Sequence, residues 1–247
     1  MLRPHAQMAL TEELVALVER FEPDPGPPPG MPDQTEDDFR VRAEALLALH
    51  EPRPLWLFAY GSLIWKPEAD HLEAVSARAR GWHRRFCMRL TRWRGTREVP
   101  GLMMALDRGG ACAGVAYRLP DADHLGQLIR LLARETDGTP PTNLPRWIRL
   151  ESDRGPLTAL AFVASPLGAN YAGRPSLPEV ARTLARAAGH WGSGAAYLHN
   201  TVRHLEENGI RDRNLWLLQE LVAEEIRNLP ARATAARAEE SYSSDLR

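Results

Sequence analysis

The sequence predicts an α+β domain whose sheet is mainly antiparallel or closed. Short segments typical of strands run from Leu55 to Leu119, a helical segment follows Pro120, two more strands come next, and the chain then turns helical. Helices and strands that neither alternate strictly nor separate into two blocks are typical of this class. A strictly parallel, doubly wound sheet is therefore disfavoured.

Residues 1–53 are predicted to form a helical extension with a proline-rich linker. Thr11 can cap a short helix with one apolar side, formed by Leu14, Val15, Leu17 and Val18. The segment EPDPGPPPGMPDQ is too rich in proline for regular structure and predicts the linker. A second amphipathic helix is expected to begin at Thr35 or Asp37 and to end before Pro52.

The strands of the main domain, residues 54–230, follow different patterns. LWLFAY is apolar throughout, as expected of a strand that is buried on both faces, whereas GWHRRFCMRL alternates between two sets of side chains. Further strands are predicted at LMMAL, GVAYRL, RWIRLES and LTALAFVAS. These six segments are expected to supply the sheet.

Four helices complete the main domain. Asp121 or Asp123 can cap the first, whose apolar stripe consists of Leu125, Leu128, Ile129 and Leu132. The other three are predicted to open at Ser176 and Pro178, to run from Gly194 to Asn208, and to begin near Asp212. Residues 231–247 are rich in alanine, arginine and serine, and we expect a flexible tail.

The composition disfavours several classes of partner. The chain has 247 residues, 44% of them hydrophobic, and a net charge of -1, so overall charge indicates neither nucleic acid nor an anionic membrane. No segment approaches the ~20 apolar residues that span a bilayer, and the start has no signal-peptide core. We expect a soluble, cytoplasmic protein with no membrane or nucleic-acid partner.

Cysteine and histidine form no metal-binding pattern. Cys87 and Cys112 belong to no CxxC motif and are expected to be reduced core residues. His199 and His204 have the wrong spacing for one helical face, and we predict no metal ion. The motifs GxGxxG, GxxxxGK[ST] and GxSxG are also absent.

The first strand ends in the turn Tyr60-Gly61-Ser62, which fits two interpretations. Gly61 has no side chain to block a close approach of the backbone and can take a positive φ, and the exposed amides of such a turn can bind an anion or a carbonyl oxygen. The same residues suit a bend or bulge between two strands. The local sequence leaves both interpretations open.

Glu135 continues the apolar stripe of the helix that follows Pro120. It lies three residues after Leu132 and seven after Leu128, so its carboxylate is expected to point into the core. Burial at the negative end of a helix should raise its pKa, as a general base near neutrality requires. The alternative is a frayed last turn with Glu135 in solvent or paired with Arg134.

An arginine cluster occupies the segment ARARGWHRRFCMRLTRWRGTR. Its members are Arg78, Arg80, Arg84, Arg85, Arg89, Arg92, Arg94 and Arg97, interleaved with Trp82, Phe86 and Trp93. A platform for single-stranded nucleic acid uses a similar composition, but here the aromatic residues alternate inward while the arginines lie on both faces. A solvated face and a site for a small anion are the other interpretations.

An ordered set of motifs resembles the ChaC-like γ-glutamylcyclotransferases. In chain order the motifs are FAYGSLIW, RGTREVPGLMMAL, GVAYRL, LLARETDG with LPRWIRL, ALAFVAS, and GSGAAYLHNTVRHLEENGIRDRNLWLL. The YGSL(I/V)W turn and the Arg-Glu pair at a helix end are specific when they occur in this order. The resemblance runs from about Leu55 to Leu229.

The resemblance implies a small closed β-barrel with helices packed around it. It also implies cleavage of glutathione to 5-oxoproline and cysteinylglycine, without a metal or organic cofactor. The YGSL turn of the family binds the γ-glutamyl group, and this role falls on Ala59, Tyr60, Gly61, Ser62, Leu63 and Ile64. The family's catalytic base is the glutamate after the arginine, which is Glu135 in this sequence.

One departure from the family pattern follows the proposed base. The loop TDGTPPTN is longer than its counterpart in relatives, and it places Asn143 where an aromatic residue is expected. A cyclotransferase for other γ-glutamyl amino acids or amines is therefore an alternative. A non-catalytic barrel that binds a small anion or RNA through its arginines is another, and the oligomeric state stays open.

Overall fold

The computed structural model describes residues 7–27, 33–49, 54–136 and 141–230. The predicted tail at 231–247, part of the predicted linker and part of the loop after Glu135 lie outside the described residues. The strands are β1 (Trp56–Ala59), β2 (Glu73–Leu90), β3 (Gly101–Arg118), β4 (Asn143–Ser152), β5 (Gly155–Ala164), β6 (Ala188–Gly189) and β7 (Gly192–Ser193). The helices are α1 (Glu12–Ala16), α2 (Glu36–Leu49), α3 (Ser62–Trp65), α4 (His124–Glu135), α5 (Leu177–Leu184), α6 (Gly194–Glu207) and α7 (Arg213–Arg227).

Strands β1 to β5 form a closed barrel in the order β1-β3-β2-β4-β5. Neighbours in this order pair antiparallel, and the barrel closes where β1 pairs with β5 in parallel, with Leu57 opposite Leu160. Closure removes the free edges that an open sheet of this size would expose. The predicted α+β class and the closed, mainly antiparallel barrel with surrounding helices are confirmed.

The longest pair of strands is β2 with β3, each of 18 residues. The sequence predicts only the second half of β2 and divides β3 into two strands, because the missing parts are rich in alanine and glycine, which have low strand propensity. Ala77 and Ala79 nevertheless point into the barrel, while Arg78 and Arg80 point to solvent. A register shift at Gly81, where φ is +78°, bends β2 midway.

Side-chain caps begin the helices close to where the sequence predicts them. Thr11 accepts a hydrogen bond from Leu14 N, Asp123 rather than Asp121 caps α4, and Asp212 caps α7. The predicted apolar side of α1 is wrong for Leu17, which is 52% exposed, because the helix ends at Ala16 and the chain then changes direction. Within the described ranges, no helix is long and apolar enough to cross a membrane.

The N-terminal extension packs against the barrel and its helices. Leu10 and Val18 are buried in the same core as β1, α6 and α7, and Leu10 N donates a hydrogen bond to Gln219 Oε1 over 2.8 Å. At a second contact, Trp147 Nε1 donates to the carbonyl of Leu46 over 3.1 Å. The extension is thus part of the packed core, and the domain boundary at residue 53 stays a prediction.

Candidate active site

The glycine turn connects β1 to the short helix α3. Ile64 N donates to Gly61 O over 2.9 Å, so the residues after the glycine form a helical turn and not a second strand. Gly61 has φ of -143°, and the positive φ considered from the sequence does not occur. A bend between two strands is therefore the wrong interpretation of this turn.

Close approach of neighbouring side chains explains why a glycine occupies position 61. An added β-carbon would lie 3.0 Å from Met104 Cε and 3.3 Å from Tyr197 Oη. Both neighbours belong to the wall of the cavity that the turn faces. The absent side chain keeps this part of the cavity open.

A buried arginine supports the turn from the side of the barrel. Arg84 Nε donates to Tyr60 O over 2.6 Å, and another nitrogen of the same guanidinium donates to Ala113 O. Nη1 forms an ion pair with Asp212 Oδ2 at 2.9 Å, and the Arg84 side chain is 3% exposed. The hydroxyl of Tyr60 donates to Phe162 O over 2.8 Å. Hydrogen bonds therefore fix both the backbone and the side chain of Tyr60, the residue before the glycine.

Glu135 is the last residue of α4, and its side chain is 11% exposed. Burial raises the pKa of its carboxyl group, the positive charge of Arg134 lowers it, and the negative charge of Glu68 raises it again. Arg134 Nε lies 3.2 Å from Glu135 Oε1. The pairing with Arg134 that the alternative named is therefore observed, whereas its frayed and solvated last turn is wrong, since Glu135 lies buried at the ordered end of α4.

The glycine turn and Glu135 line the same cavity, although 73 residues separate Ser62 from Glu135 in the sequence. A narrow inner recess is lined by Tyr60, Gly61, Ser62, Leu63, Met103, Met104, Glu135 and Tyr197. It adjoins a wider outer cavity of about 470 Å³, which Ser62, Glu135 and Tyr197 also line. Ala59 and Ile64, the other two predicted substrate-binding residues, are buried and do not line either cavity.

Tyr197 of α6 is a cavity residue to which sequence reasoning assigned no role. Its ring packs edge-on against Trp65 and Phe86, with ring centroids 6.2 and 6.0 Å apart. Burial raises the pKa of its hydroxyl group, and the charge of Glu135 adds to the effect. The hydroxyl therefore stays protonated and can donate a hydrogen bond in the recess. The motif GSGAAYLH contained the signal, since Ser193 caps the helix that carries this tyrosine.

The outer cavity has a wall of aromatic and cationic side chains. Its other lining residues are Trp65, Lys66, Glu68, Trp93, Arg94, Met103, Ala133, Arg134, Thr136 and Trp191. The guanidinium of Arg94 lies over the ring of Tyr197, 5.4 Å from its centroid. Arg94 and Lys66 are cations that an anionic group bound in this cavity could meet, and Lys66 also pairs with Glu68 at 3.3 Å.

The arginine cluster of the sequence does not form one surface. Arg84 is buried beneath the turn and Arg94 lines the cavity. Arg92 pairs with Asp24 at 2.7 Å, and Arg80 pairs with Glu151 at 2.5 Å on the outside of the barrel. The interpretation as a single solvated face is therefore wrong for Arg84 and Arg94.

The groups around the recess suit transfer of a proton next to a polarised carbonyl group. A carboxylate with a raised pKa is a stronger base than an ordinary glutamate, and a tyrosine hydroxyl and turn amides can donate hydrogen bonds to an oxygen that gains charge. Within the parts of the chain that the structure describes, no group of three His, Cys, Asp or Glu side chains is placed to hold a metal ion.

Comparisons with known proteins agree with the motifs of the sequence. The profile of the family described as ChaC-like protein matches residues 55–225. The glutathione-specific γ-glutamylcyclotransferase of Escherichia coli is 37% identical over 174 residues, which are 70% of this chain and 74% of the relative. The mouse glutathione-specific γ-glutamylcyclotransferase 1 is 34% identical over 151 residues, which are 60% of this chain and 68% of the relative.

A solved structure shares the fold. The crystal structure of a yeast γ-glutamyl cyclotransferase specific to glutathione superimposes with a TM-score of 0.62 at 21% identity, covering 69% of this chain and 96% of the yeast chain. At this identity the likeness concerns the fold, and the family assignment rests on the profile and the curated relatives. The profile covers more than half of the chain, which therefore belongs to the ChaC-like family.

Proposed function

We propose that this chain is a glutathione-specific γ-glutamylcyclotransferase that cleaves glutathione to 5-oxoproline and cysteinylglycine. The observation that carries the proposal is the shared recess, in which a buried carboxylate, Glu135, faces the turn at Gly61. The names of the curated relatives support the choice of substrate. The substrate is accordingly a small molecule, and the proposed chemistry uses no metal or organic cofactor.

Glu135 acts as general base and then as general acid in the proposed reaction. It takes a proton from the α-ammonium group of the γ-glutamyl residue, and the freed amine nitrogen attacks the γ-carbonyl carbon. Glu135 returns the proton to the cysteinyl nitrogen as the bond from that carbon to this nitrogen breaks. The ring nitrogen still carries one proton more than the lactam, and the freed Glu135 carboxylate takes this proton and passes it to the released amine or to solvent. Its raised pKa supports this role, since a carboxylate closer to neutrality transfers a proton in both directions more readily.

The turn holds the γ-glutamyl group in the inner recess. The attack places negative charge on the γ-carbonyl oxygen, and the backbone amides at Gly61 and Ser62, with the Tyr197 hydroxyl, are the donors around the recess that can stabilise it. A narrow recess also favours the folded conformation from which a five-membered ring closes. Of the six residues predicted to bind substrate, we retain Tyr60, Gly61, Ser62 and Leu63 as lining residues, with Ala59 and Ile64 as their buried support.

The outer cavity accommodates the leaving dipeptide. Its width and its tryptophans suit the cysteinyl side chain, and Arg94 and Lys66 suit the carboxylate of the glycine. Lys66 already pairs with Glu68 at 3.3 Å, so a substrate without this terminal carboxylate would chiefly lose an ionic contact with Arg94. This feature favours glutathione over γ-glutamyl amines.

The position of Asn143 was the reason to consider other γ-glutamyl amino acids or amines as substrates, and its contacts do not support that alternative. The Asn143 side chain is not among the cavity-lining residues, and its Nδ2 donates to the main-chain carbonyl of Glu135 over 2.8 Å. It therefore supports the end of α4, and the aromatic hydroxyl in the recess comes from Tyr197 instead. The alternative of an RNA-binding barrel is also disfavoured, since its arginines are dispersed. The cytoplasmic location stays a prediction.

Release of 5-oxoproline from glutathione tests the proposal. We expect the wild type to form 5-oxoproline, and Glu135→Gln to lower kcat by about 10²- to 10⁴-fold, the usual contribution of a general base. The matched control is Glu151→Gln, which changes an exposed glutamate on β4 and should leave kcat unchanged. If the wild type forms no 5-oxoproline, the proposed enzymatic activity is wrong. If Glu135→Gln is fully active, only the role of Glu135 as general base is wrong. Equal turnover of γ-glutamyl-alanine would contradict specificity for glutathione.

A further inference from the structure

A segment outside the family match contacts the cavity wall. We call residues 17–24 the strap; they precede the matched region, which begins at residue 55. Val18 anchors the strap in the core with 4% exposure, and Glu22 N donates to Gly189 O over 3.3 Å. Arg20 Nη2 donates to Arg186 O over 2.8 Å. The strap therefore lies along the β6–β7 hairpin and the chain that leads into it.

Glu19 is a strap residue whose side chain forms hydrogen bonds with Ser193 of the hairpin. Its Oε2 accepts a hydrogen bond from Ser193 N over 3.0 Å and another from the Ser193 hydroxyl group. A β-carbon added at Gly192, where φ is +88°, would lie 2.3 Å from Glu19 Oε1 and 3.6 Å from Arg94 Nη1. The hairpin thus provides two donors and a glycine at the place where the Glu19 carboxylate lies.

Ser193 connects Glu19 to two side chains of the cavity. Its carbonyl oxygen accepts a hydrogen bond from Arg94 Nη1 over 3.1 Å. Its hydroxyl oxygen accepts from Ala196 N over 3.1 Å and caps α6, the helix that carries Tyr197. Because the single hydroxyl proton is donated to Glu19, the oxygen's lone pairs remain directed at the helix. One residue therefore fixes both Arg94 and the start of the Tyr197 helix.

Charge supports the same connection. Burial lowers the pKa of Arg94, and the negative charge of Glu19 opposes this effect. A guanidinium that loses water on entering a cavity needs a hydrogen-bond acceptor in its place, since desolvation otherwise disfavours that position. Ser193 O is this acceptor for Arg94, and the hydrogen bonds to Glu19 fix the position of Ser193.

We propose that Glu19 is a positioning residue which, through Ser193, directs Arg94 at the terminal carboxylate of the substrate. The inference rests on the proposed function and adds that a segment outside the matched region sets the affinity for the anionic leaving dipeptide. This carboxylate lies several bonds from the reacting amide. Loss of its partner therefore raises KM and changes kcat little.

Three variants and two substrates test the role of Glu19. Glu19→Ala removes the acceptor, Glu19→Gln keeps an acceptor oxygen without the charge, and Glu13→Ala changes an exposed acid on α1 as the matched control. The substrates are glutathione and glutathione whose glycine carboxylate is converted to an amide. For glutathione, we expect KM to rise about tenfold in Glu19→Ala, to stay within about threefold in Glu19→Gln, and not to change in Glu13→Ala.

The amide substrate separates a positioning role from a general loss of structure. The wild type should bind it about tenfold more weakly than glutathione, and Glu19→Ala should add no further loss, since Arg94 then has no carboxylate to meet. An equal rise of KM for both substrates, or an unchanged KM for glutathione, would overturn the proposal. If Glu19→Ala does not fold, Glu19→Gln and Glu19→Asp answer the same question, because aspartate is too short to reach Ser193. A wild type that releases no 5-oxoproline would refute the proposed function instead.

Discussion

Arg84 Nε donates a hydrogen bond of 2.6 Å to the main-chain carbonyl of Tyr60, the residue before the cavity glycine. The same guanidinium forms an ion pair with Asp212, which caps α7. One buried side chain thus joins the barrel, the turn and a C-terminal helix. The ion pair with Asp212 holds the guanidinium that bonds to Tyr60 O, so we expect the position of the turn to depend on it. Removing one member of the pair would leave the other charge buried without its partner.

Arg84→Lys is expected to destabilise the fold and to lower kcat/KM. A lysine keeps the charge but has all its donors on one nitrogen, whereas Arg84 reaches Tyr60, Ala113 and Asp212 with three separate nitrogens. We expect a loss of about 3 kcal/mol in the free energy of unfolding, the lower end of the range for a broken buried pair, because Asp212 is 21% exposed. Denaturant unfolding measures it.

The matched control for Arg84 lies on the same strand. Arg80→Lys changes an arginine that is 70% exposed and paired with Glu151 on the outside of the barrel, so an unfolding midpoint close to that of the wild type is expected. Equal unfolding midpoints for Arg84→Lys and the wild type would refute the role assigned to Arg84.

Gly61→Ala is expected to reduce activity far more than stability. The new β-carbon would lie 3.0 Å from Met104 Cε and 3.3 Å from Tyr197 Oη, and both are ends of side chains that can shift. We expect about 1 kcal/mol of destabilisation from the added crowding. A displaced γ-glutamyl group should lower kcat/KM for glutathione about 100-fold.

A second substitution locates the crowding around position 61. Combining Gly61→Ala with Met104→Ala removes the nearer contact, so part of kcat/KM should return if Met104 is what the methyl group displaces. Initial rates of 5-oxoproline release for the single and double variants measure the effect. If Gly61→Ala has the same kcat/KM as the wild type, the recess is not narrow enough at position 61 to restrict the substrate.

The sequence predicts the fold well where apolar patterns are regular. The apolar run of β1, the alternation in the second half of β2 and the stripe of α4 all correspond to observed elements. The first half of β2 is missed because its inward positions are alanines, whose burial depends on closure of the barrel and not on local preference. The β6–β7 hairpin is missed because two-residue strands carry no periodic signal.

Prediction of the site is limited by contacts between distant segments. Glu135 could be placed on the apolar stripe from spacing alone, since a helix fixes which residues share a face. That Glu135 lines the same recess as Gly61 could not be predicted, because the recess brings together elements that are distant in the sequence. The partners of Arg84 and Glu19 are equally remote, at separations of 128 residues for Asp212 and 174 for Ser193.

The two charges beside Glu135 should move the pH profile in opposite directions. Arg134 lowers the pKa of Glu135 and Glu68 raises it. Because the unprotonated carboxylate is the active form, kcat/KM should rise with pH through this pKa. Arg134→Gln should move that acidic limb to higher pH, and Glu68→Gln should move it to lower pH. Profiles of kcat/KM for glutathione measure the shift, and two variants that move it in the same direction would contradict the assignment to Glu135.

Glu135→Gln should become more stable relative to the wild type as the pH rises, while it removes activity. Burial raises the pKa of Glu135 above its ordinary value of 4.5 in the folded state. The contribution of Glu135 to stability is therefore fully present below pH 4.5 and is lost as the pH rises through the folded-state pKa, whereas glutamine does not titrate. The gain in unfolding free energy for Glu135→Gln over the wild type should grow with pH up to that point.

An exposed glutamate provides a control of opposite sign for this stability difference. Arg80 lowers the pKa of Glu151, so the stabilisation by Glu151 is present above pH 4.5 and is lost as the pH falls. Glu151→Gln should accordingly lose stability relative to the wild type as the pH rises. Denaturant unfolding from pH 4 to 8 compares the two variants. A Glu135→Gln variant that becomes relatively less stable with increasing pH would mean that Arg134 outweighs burial, and that the carboxylate is not held ready to accept a proton near neutrality.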